Sequence, residues 1–419
     1  MRIYKFGGAS VKDSVAIENI ISILNKKGFE KTLLVVSAMD KTTNAFELVV
    51  KNYFENKSEL QYSINEIFKF HNQILLNLFS NENHEIYKEV KSIFDNLKGF
   101  LNRNKSPEYS FVYDQVVPNG ELLSTKIINA YLNYKGIKSN WIDSRDLIKT
   151  DSNYRDADLN WDLTQKNILN KVDKKVLNIT QGFIGSNQNN FNTTLGREGS
   201  DYSAAIYAYC LNADSLTIWK DVSGVLNADP RVFKNPVLLE FISYTEAIEL
   251  AFYGASVIHP KTLQPLQKKE IPLYVKSFLN PDGVGTSISR GIKIKPKVPC
   301  FIVKRNLNLL KLSSLDFSFI VEENISYIFS LLHEYQMPVE LIQNSAITFS
   351  VCVTNKYRRL QELVLVLRSR FNVEVIEGVD LFTIRHFDIK ATQYIEKTGK
   401  EVLLEQRTSE TAQFVLKDT

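Results

Sequence analysis

The chain has 419 residues, 44% of them hydrophobic and 23% charged, enough for two or three domains that each bury a core of their own. Its 51 Lys+Arg against 47 Asp+Glu leave a formal charge of only +4, spread without a dense basic block, which argues against nucleic acid as a main partner and leaves an anionic small molecule open. Cys210, Cys300 and Cys352 stand far apart and the five histidines are scattered, so neither a disulfide framework nor a zinc site is indicated and a reducing, cytoplasmic setting is expected; no apolar run nears the ~18 residues that span a bilayer.

Residues 1–6 read as a short strand, 7–10 (GGAS) as a turn, and 13–24 as a helix with Val15, Ile17, Ile20, Ile21 and Leu24 at helical spacing. Lys5 with Gly7 and Gly8 has the makings of a phosphate cradle, a point charge backed by bare amides, although the pattern is neither Walker A nor GxGxxG. Residues 32–38 (TLLVVSA) form the nearly continuous apolar run of a parallel strand covered on both faces. Ser37 then stands at its carboxyl end, on the rim where ligands gather in open α/β sheets, unless it merely caps the next helix.

From 45 to about 103 the pattern is helical and poor in chemistry, an insertion in which His71 and His84 read as surface or packing residues. Glu121 lies in the first turn of a helix running to about 134, where the dipole favours a carboxylate whatever its function. Residues 137–142 and 175–183 are further strands, with Gly182 and Phe183 at the exit of the second, and 184–191 is a short polar hairpin. It leads into TTLGREGSD at 193–201, ahead of a small-residue helix at 204–211. A loop ending at a helix N-terminus suits anions; Arg197 adds a planar fork for a carboxylate or phosphate, and Ser200 and Asp201 fall at the cap. Such a cluster alone is more often a loop and an N-cap than a site.

Residues 215–219 form another strand, followed by Lys220, Asp221 and the NADPR segment holding Asp229 and Arg231. Repeated strand, glycine turn and helix units imply a mostly parallel sheet with helices on both faces. After a striped helix at 243–253, a stop at Gly254 and a His259-Pro260 pair, the basic, proline-bearing 293–299 reads as a linker. Two strand, helix, strand runs follow, at 300–375 and 381–417, with the look of small α+β modules that bind or dimerise.

With these residues in hand, the sequence resembles the aspartate kinases of the amino acid kinase superfamily that carry C-terminal ACT modules. Seven segments occur in family order: KFGGASV at 5–11, VVSAM at 35–39, GELLS at 120–124, TQGFIG at 180–185, TTLGREGSD at 193–201, DVSGVLNADPR at 221–231 and FYGASVIHPKTLQPL at 252–266. The resemblance implies an amino acid kinase catalytic domain over 1–292, with its helical insertion at about 45–105. It also implies a regulatory region over 299–419 of two ferredoxin-like ACT modules, the second reading as truncated before its final helix. The implied activity is transfer of the ATP γ-phosphoryl group to the β-carboxylate of L-aspartate, with Mg2+, at the head of lysine, threonine and methionine synthesis.

By the same resemblance Lys5, Gly7 and Gly8 hold ATP phosphates, and Asp221, Asp229 and Arg231 line the nucleotide side. Ser37, Thr43, Glu121, Phe183, Arg197, Ser200 and Asp201 form the aspartate pocket, with Arg197 meeting a substrate carboxylate, Glu121 its ammonium, and Asp201 a metal through the ATP phosphates. Lysine is the expected effector, near 338–345, with Glu340 facing an ammonium beside Asn344 and Ser345, and the ACT modules are expected to pair chains into at least a homodimer. Departures from the family pattern are Ala9, Glu198, Lys220, Leu226 and Ser256. They suggest that Lys220 replaces the base absent at Ser256, binding ATP and pairing with Glu198, unless Glu198 helps hold magnesium or the two charges are exposed and independent. A kinase for glutamate or acetylglutamate is an alternative that the C-terminal modules argue against; another is a catalytically weakened, amino-acid-binding regulatory subunit.

Overall fold

The computed structural model describes residues 1–255, 258–316 and 318–418, so Ser256 and the exchange of bases inferred for it lie outside the described residues. The chain divides into two compact units, the first made of Met1–Val225, Leu238–Ile248 and Val257–Pro296, the second of Leu226–Val237, Glu249–Ser256 and Lys297–Thr419.

In the first unit the strands are β1 (Arg2–Phe6), β2 (Thr32–Val36), β3 (Ser139–Ile142), β4 (Leu177–Gln181), β5 (Ile184–Ser186), β6 (Asn192–Thr194), β7 (Ser215–Lys220), β8 (Phe241–Ser243), β9 (Leu273–Ser277) and β10 (Thr286–Ser289). Eight of them form one sheet in the order β3-β4-β2-β1-β7-β9-β10-β8, parallel from β3 through β9, while β5 and β6 make a separate hairpin. All five residues of β2 and of β4 are buried, which requires cover on both faces; β2 (TLLVV) is accordingly a nearly continuous apolar run, whereas β4 (LNITQ) buries polar side chains as well. From β1 the chain builds outward to β2, β4 and β3 on one side, then returns to place β7 on the other. That reversal is the topological switch point, and it opens a crevice at the carboxyl ends of the central strands.

Several local expectations shift by a few residues. The glycine turn after β1 is one turn of 3-10 helix, Gly8–Val11. The expected strand 175–183 stops at Gln181 because Phe183 takes a left-handed φ of 71°. The insertion consists of the helices Thr42–Glu55, Lys57–Leu78 and Glu85–Arg103, so it begins early enough to put Thr43 in a first helical turn. His71 is fully buried, its Nδ1 2.8 Å from the Ile67 carbonyl, and burial pushes the ring down to about 4. His84 instead caps Glu85–Arg103, with Nδ1 accepting from the Ile86 amide. The 293–299 linker is not free chain throughout, since Lys295 exchanges backbone hydrogen bonds with Phe241 of β8.

The second unit holds β11 (Cys300–Ser314), β12 (Val339–Asn344), β13 (Thr348–Val353), β14 (Phe371–Arg385), β15 (Glu401–Arg407) and β16 (Thr411–Lys417) in one six-stranded sheet, order β12-β13-β11-β14-β16-β15. Each of its neighbouring strands is antiparallel, and the helices Glu322–Glu334, Leu360–Leu367 and Ile389–Glu396 fall between them in sequence. This is the α+β texture expected after residue 300. The two runs read from the sequence are nevertheless not separate sheets, because β14 continues unbroken across 375–381 and pairs with β11 from Cys300 to Ser314.

Candidate active site

The carboxyl ends of four adjacent parallel strands, β4, β2, β1 and β7, meet the N-terminus of the helix Gly199–Leu211 around a cleft of about 350 Å³. Lys5 comes from β1, Ser37 follows β2, Phe183 follows β4 and Lys220 ends β7. Thr43 and Glu121 join from the first turns of their helices, and Glu198, Ser200 and Asp201 from the start of Gly199–Leu211. The helix can approach the strands this closely because two glycines face the contact. A Cβ on Gly182 would lie 2.6 Å from Ser200, and one on Gly199 would lie 2.6 Å from the Phe183 ring.

Asp201 is the electrostatic centre. Lys5 Nζ lies 2.6 Å from its Oδ1 and Lys220 Nζ 3.6 Å from its Oδ2, and all three side chains are largely shielded from water. Burial works to raise the Asp201 carboxyl, but the two ammonium groups outweigh it and hold it below the usual carboxylate range. Two lysines around one carboxylate give the trio a formal net charge of +1.

Glu121 has the opposite environment. Its Oε1 accepts from the Ala38 amide at 3.2 Å, while Oε2 is buried with no hydrogen-bond partner. Burial pushes this carboxyl up to about 8, against the pull of the Ala38 amide and of Lys5. A buried acceptor left open is costly, so the position favours an incoming cation such as an ammonium group.

The loop before the helix differs from its expected form. Glu198, not Ser200 or Asp201, is the N-cap; it takes a left-handed φ of 54° and its side chain caps nothing. Its Oε2 is buried without a partner, and Lys220 pairs with Asp201 instead of with Glu198, because the helix start turns Asp201 toward both lysines. Arg197, between left-handed Gly196 and Glu198, is turned out to solvent and makes no hydrogen bond or ion pair among the described residues. It therefore does not line the cleft as found.

Gly7 and Gly8 follow β1 directly; Gly7 accepts from the Ser10 amide and Gly8 from the Asp40 amide. Asp221 is exposed just beyond β7, whereas Asp229 and Arg231 belong to the second unit and bind one another at 2.7 Å. In that unit Asn344 and Ser345 are exposed at the end of β12, and Glu340 is already engaged by Lys304 and Thr354. Sequence reading missed Asp114, which is fully buried in the helix Tyr109–Val116. It accepts from the Thr194 amide and hydroxyl and from the Arg155 amide, fixing β6 at the head of the loop. One acid inside an apolar helix was its only signal.

Comparison with known proteins gives this geometry a family. The chain is 31% identical over 393 residues to the chloroplastic bifunctional aspartokinase/homoserine dehydrogenase 1 of Arabidopsis thaliana, which covers 90% of this chain and 42% of the plant protein. The chain thus spans under half the length of that relative. It is 29% identical over 423 residues to lysine-sensitive aspartokinase 3 of Escherichia coli (strain K12), covering 96% of this chain and 89% of that one. The crystal structure of E. coli aspartokinase III with aspartate and ADP (R-state) superposes with a TM-score of 0.83 at 26% identity, over 99% of this chain and 96% of the other. The stretch that builds the whole cleft falls within residues 1–277, which match the amino acid kinase family, and the chain belongs to that family.

Proposed function

We propose that the protein is an aspartate kinase, transferring the ATP γ-phosphoryl group to the β-carboxylate of L-aspartate and releasing ADP and 4-phospho-L-aspartate. The observation that carries this reading is the pairing, in one cleft, of a lysine-flanked Asp201 with the buried, open carboxylate of Glu121. The first half suits a polyphosphate and the second an amino acid's ammonium group. The likeness to a solved aspartokinase that holds aspartate and ADP supports the same assignment.

A carboxylate nucleophile needs no general base, so the work of the site is to bring two anions into line and offset their repulsion. Lys5 and Lys220 meet the phosphates, with Gly7 and Gly8 backing them; Asp201 positions both ammonium groups before the nucleotide arrives. Glu121 anchors the aspartate ammonium, and Ser37, Thr43, Phe183 and Ser200 shape the pocket. Arg197 turns inward onto the α-carboxylate. Asp221, Asp229 and Arg231 serve the nucleotide side. Among the described residues no cluster of three or more His, Cys, Asp or Glu could hold a metal by itself; magnesium bound with the nucleotide would be held in part by Asp201 and would offset phosphate charge.

Residues 1–292 act as the catalytic domain and 299–419 as the regulatory region, with L-lysine as its effector near Glu340. The sheet edges at β12 and β15 favour pairing into a homodimer. Trapping the acyl phosphate with hydroxylamine tests the activity: hydroxamate should form with ATP and L-aspartate, and not with L-glutamate or N-acetylglutamate. Its absence with aspartate would overturn the assignment.

A further inference from the structure

Glu340, the carboxylate proposed to face an effector's ammonium group, already holds an ammonium group of its own chain. Lys304 Nζ contacts Glu340 Oε2 and also donates to the Phe252 carbonyl at 3.2 Å, while the Thr354 hydroxyl donates to Glu340 Oε1 at 2.9 Å. The pair is mostly sheltered, with 26% of the Lys304 side chain and 15% of the Glu340 side chain exposed.

This contact is built into the fold at several points. The pairing of β12 with β13 jumps from Val339 to Leu341, leaving Glu340 as the extra residue of a bulge. On β11 the register with β14 breaks just after Lys304. Bulges re-aim side chains, and here two of them turn opposite charges toward each other from strands that are not neighbours in the sheet. Space for the lysine stem comes from Gly254, where a Cβ would lie 2.7 Å from Lys304 Cε.

We infer that Lys304 is an internal competitor for the effector's ammonium group. An amino-acid effector gains Glu340 only by displacing Lys304, which also releases the Phe252 carbonyl at the end of the helix Tyr244–Tyr253. That helix is where the chain passes from one unit to the other, its residues up to Ile248 counted with the first and Glu249 onward with the second. Effector binding is thereby weakened by the strength of the internal pair and coupled to the hold on the helix end. This inference rests on the reading of Glu340 as the effector's carboxylate.

The test is calorimetric titration of the full chain with L-lysine, comparing wild type with Lys304→Met, Lys304→Gln and Glu340→Gln. Methionine keeps the stem beside Gly254 without its charge, and Arg385 still reaches Glu249 on the same helix at 3.4 Å, so the fold should survive. Both Lys304 variants should bind L-lysine at least about tenfold more tightly than wild type, a gain of about 1.4 kcal/mol. Glu340→Gln should lose binding. Equal or weaker binding by the Lys304 variants, with Glu340→Gln still deficient, overturns the competition alone. L-lysine binding that survives Glu340→Gln, or is absent from wild type and both Lys304 variants, overturns the effector reading and this inference with it.

Discussion

Replacing Glu121 by Gln should make the protein more stable and much less active, and the two effects can be sized from its surroundings. The carboxyl rises from 4.5 to about 8 because it is buried with one oxygen unpaired. A folded-state pKa above the unfolded value means that the folded chain holds the proton longer. The group's contribution to stability is therefore full below pH 4.5 and declines as pH rises through 8. Between pH 6 and pH 8 that decline is about 2 kcal/mol, somewhat less than 1.36 kcal/mol per pH unit because the folded group is already half ionised at pH 8. Glutamine can still accept from the Ala38 amide and has no charge to desolvate, so the variant should lack this slope. Urea unfolding at pH 6 and pH 8 should show wild type losing about 2 kcal/mol relative to Glu121→Gln. The same change removes the partner of the substrate's ammonium group and should lower kcat/KM for aspartate by about 2 to 4 kcal/mol, or roughly 30- to 1000-fold. If the pH dependences of stability run parallel, or kcat/KM for aspartate holds, the reading of Glu121 as a buried, open carboxyl that ionises to meet the substrate's ammonium group is wrong.

Lys5→Met should leave Asp201 buried with Lys220 as its remaining ion-pair partner, raising KM for ATP and cutting kcat by at least about a thousandfold; an active variant would refute its phosphate role. Arg197→Ala should raise KM for aspartate about thirtyfold while KM for ATP stays within about threefold, and an unchanged aspartate KM would mean that the side chain remains in solvent as found. His71, lowered from 6.5 to about 4 by burial, contributes stability that is present above pH 6.5 and is lost as pH falls toward 4, by up to about 3 kcal/mol. Comparing Tm for wild type and His71→Phe at pH 7.5 and pH 5 checks this; a wild type that loses no more than the variant contradicts it.

What the sequence determined alone was the order of elements and the residue types at strand exits. A nearly continuous apolar run such as 32–38 specifies a buried parallel strand because its side chains on both faces must avoid water, and glycines next to polar residues at strand ends specify where a ligand can approach. Lys5, Ser37, Phe183 and Lys220 are legible at strands and their exits and Asp201 at a helix start, whereas Glu121 is a candidate only through the family resemblance; the structure brings all six to one cleft. Which charges touch was not legible. Lys220 was expected to meet Glu198 and meets Asp201, because the left-handed cap at 198 fixes how the first helical turn faces the sheet. The same loop geometry turns Arg197 outward, and Asp114 matters only because a strand some 80 residues later comes to its carboxylate. Likewise the ammonium beside Glu340 comes from Lys304, 36 residues away, through register breaks on two strands that no local pattern announces. Periodicity and composition are local properties of the chain, whereas ion pairing depends on side-chain direction to within a few ångströms, and only tertiary packing fixes that direction.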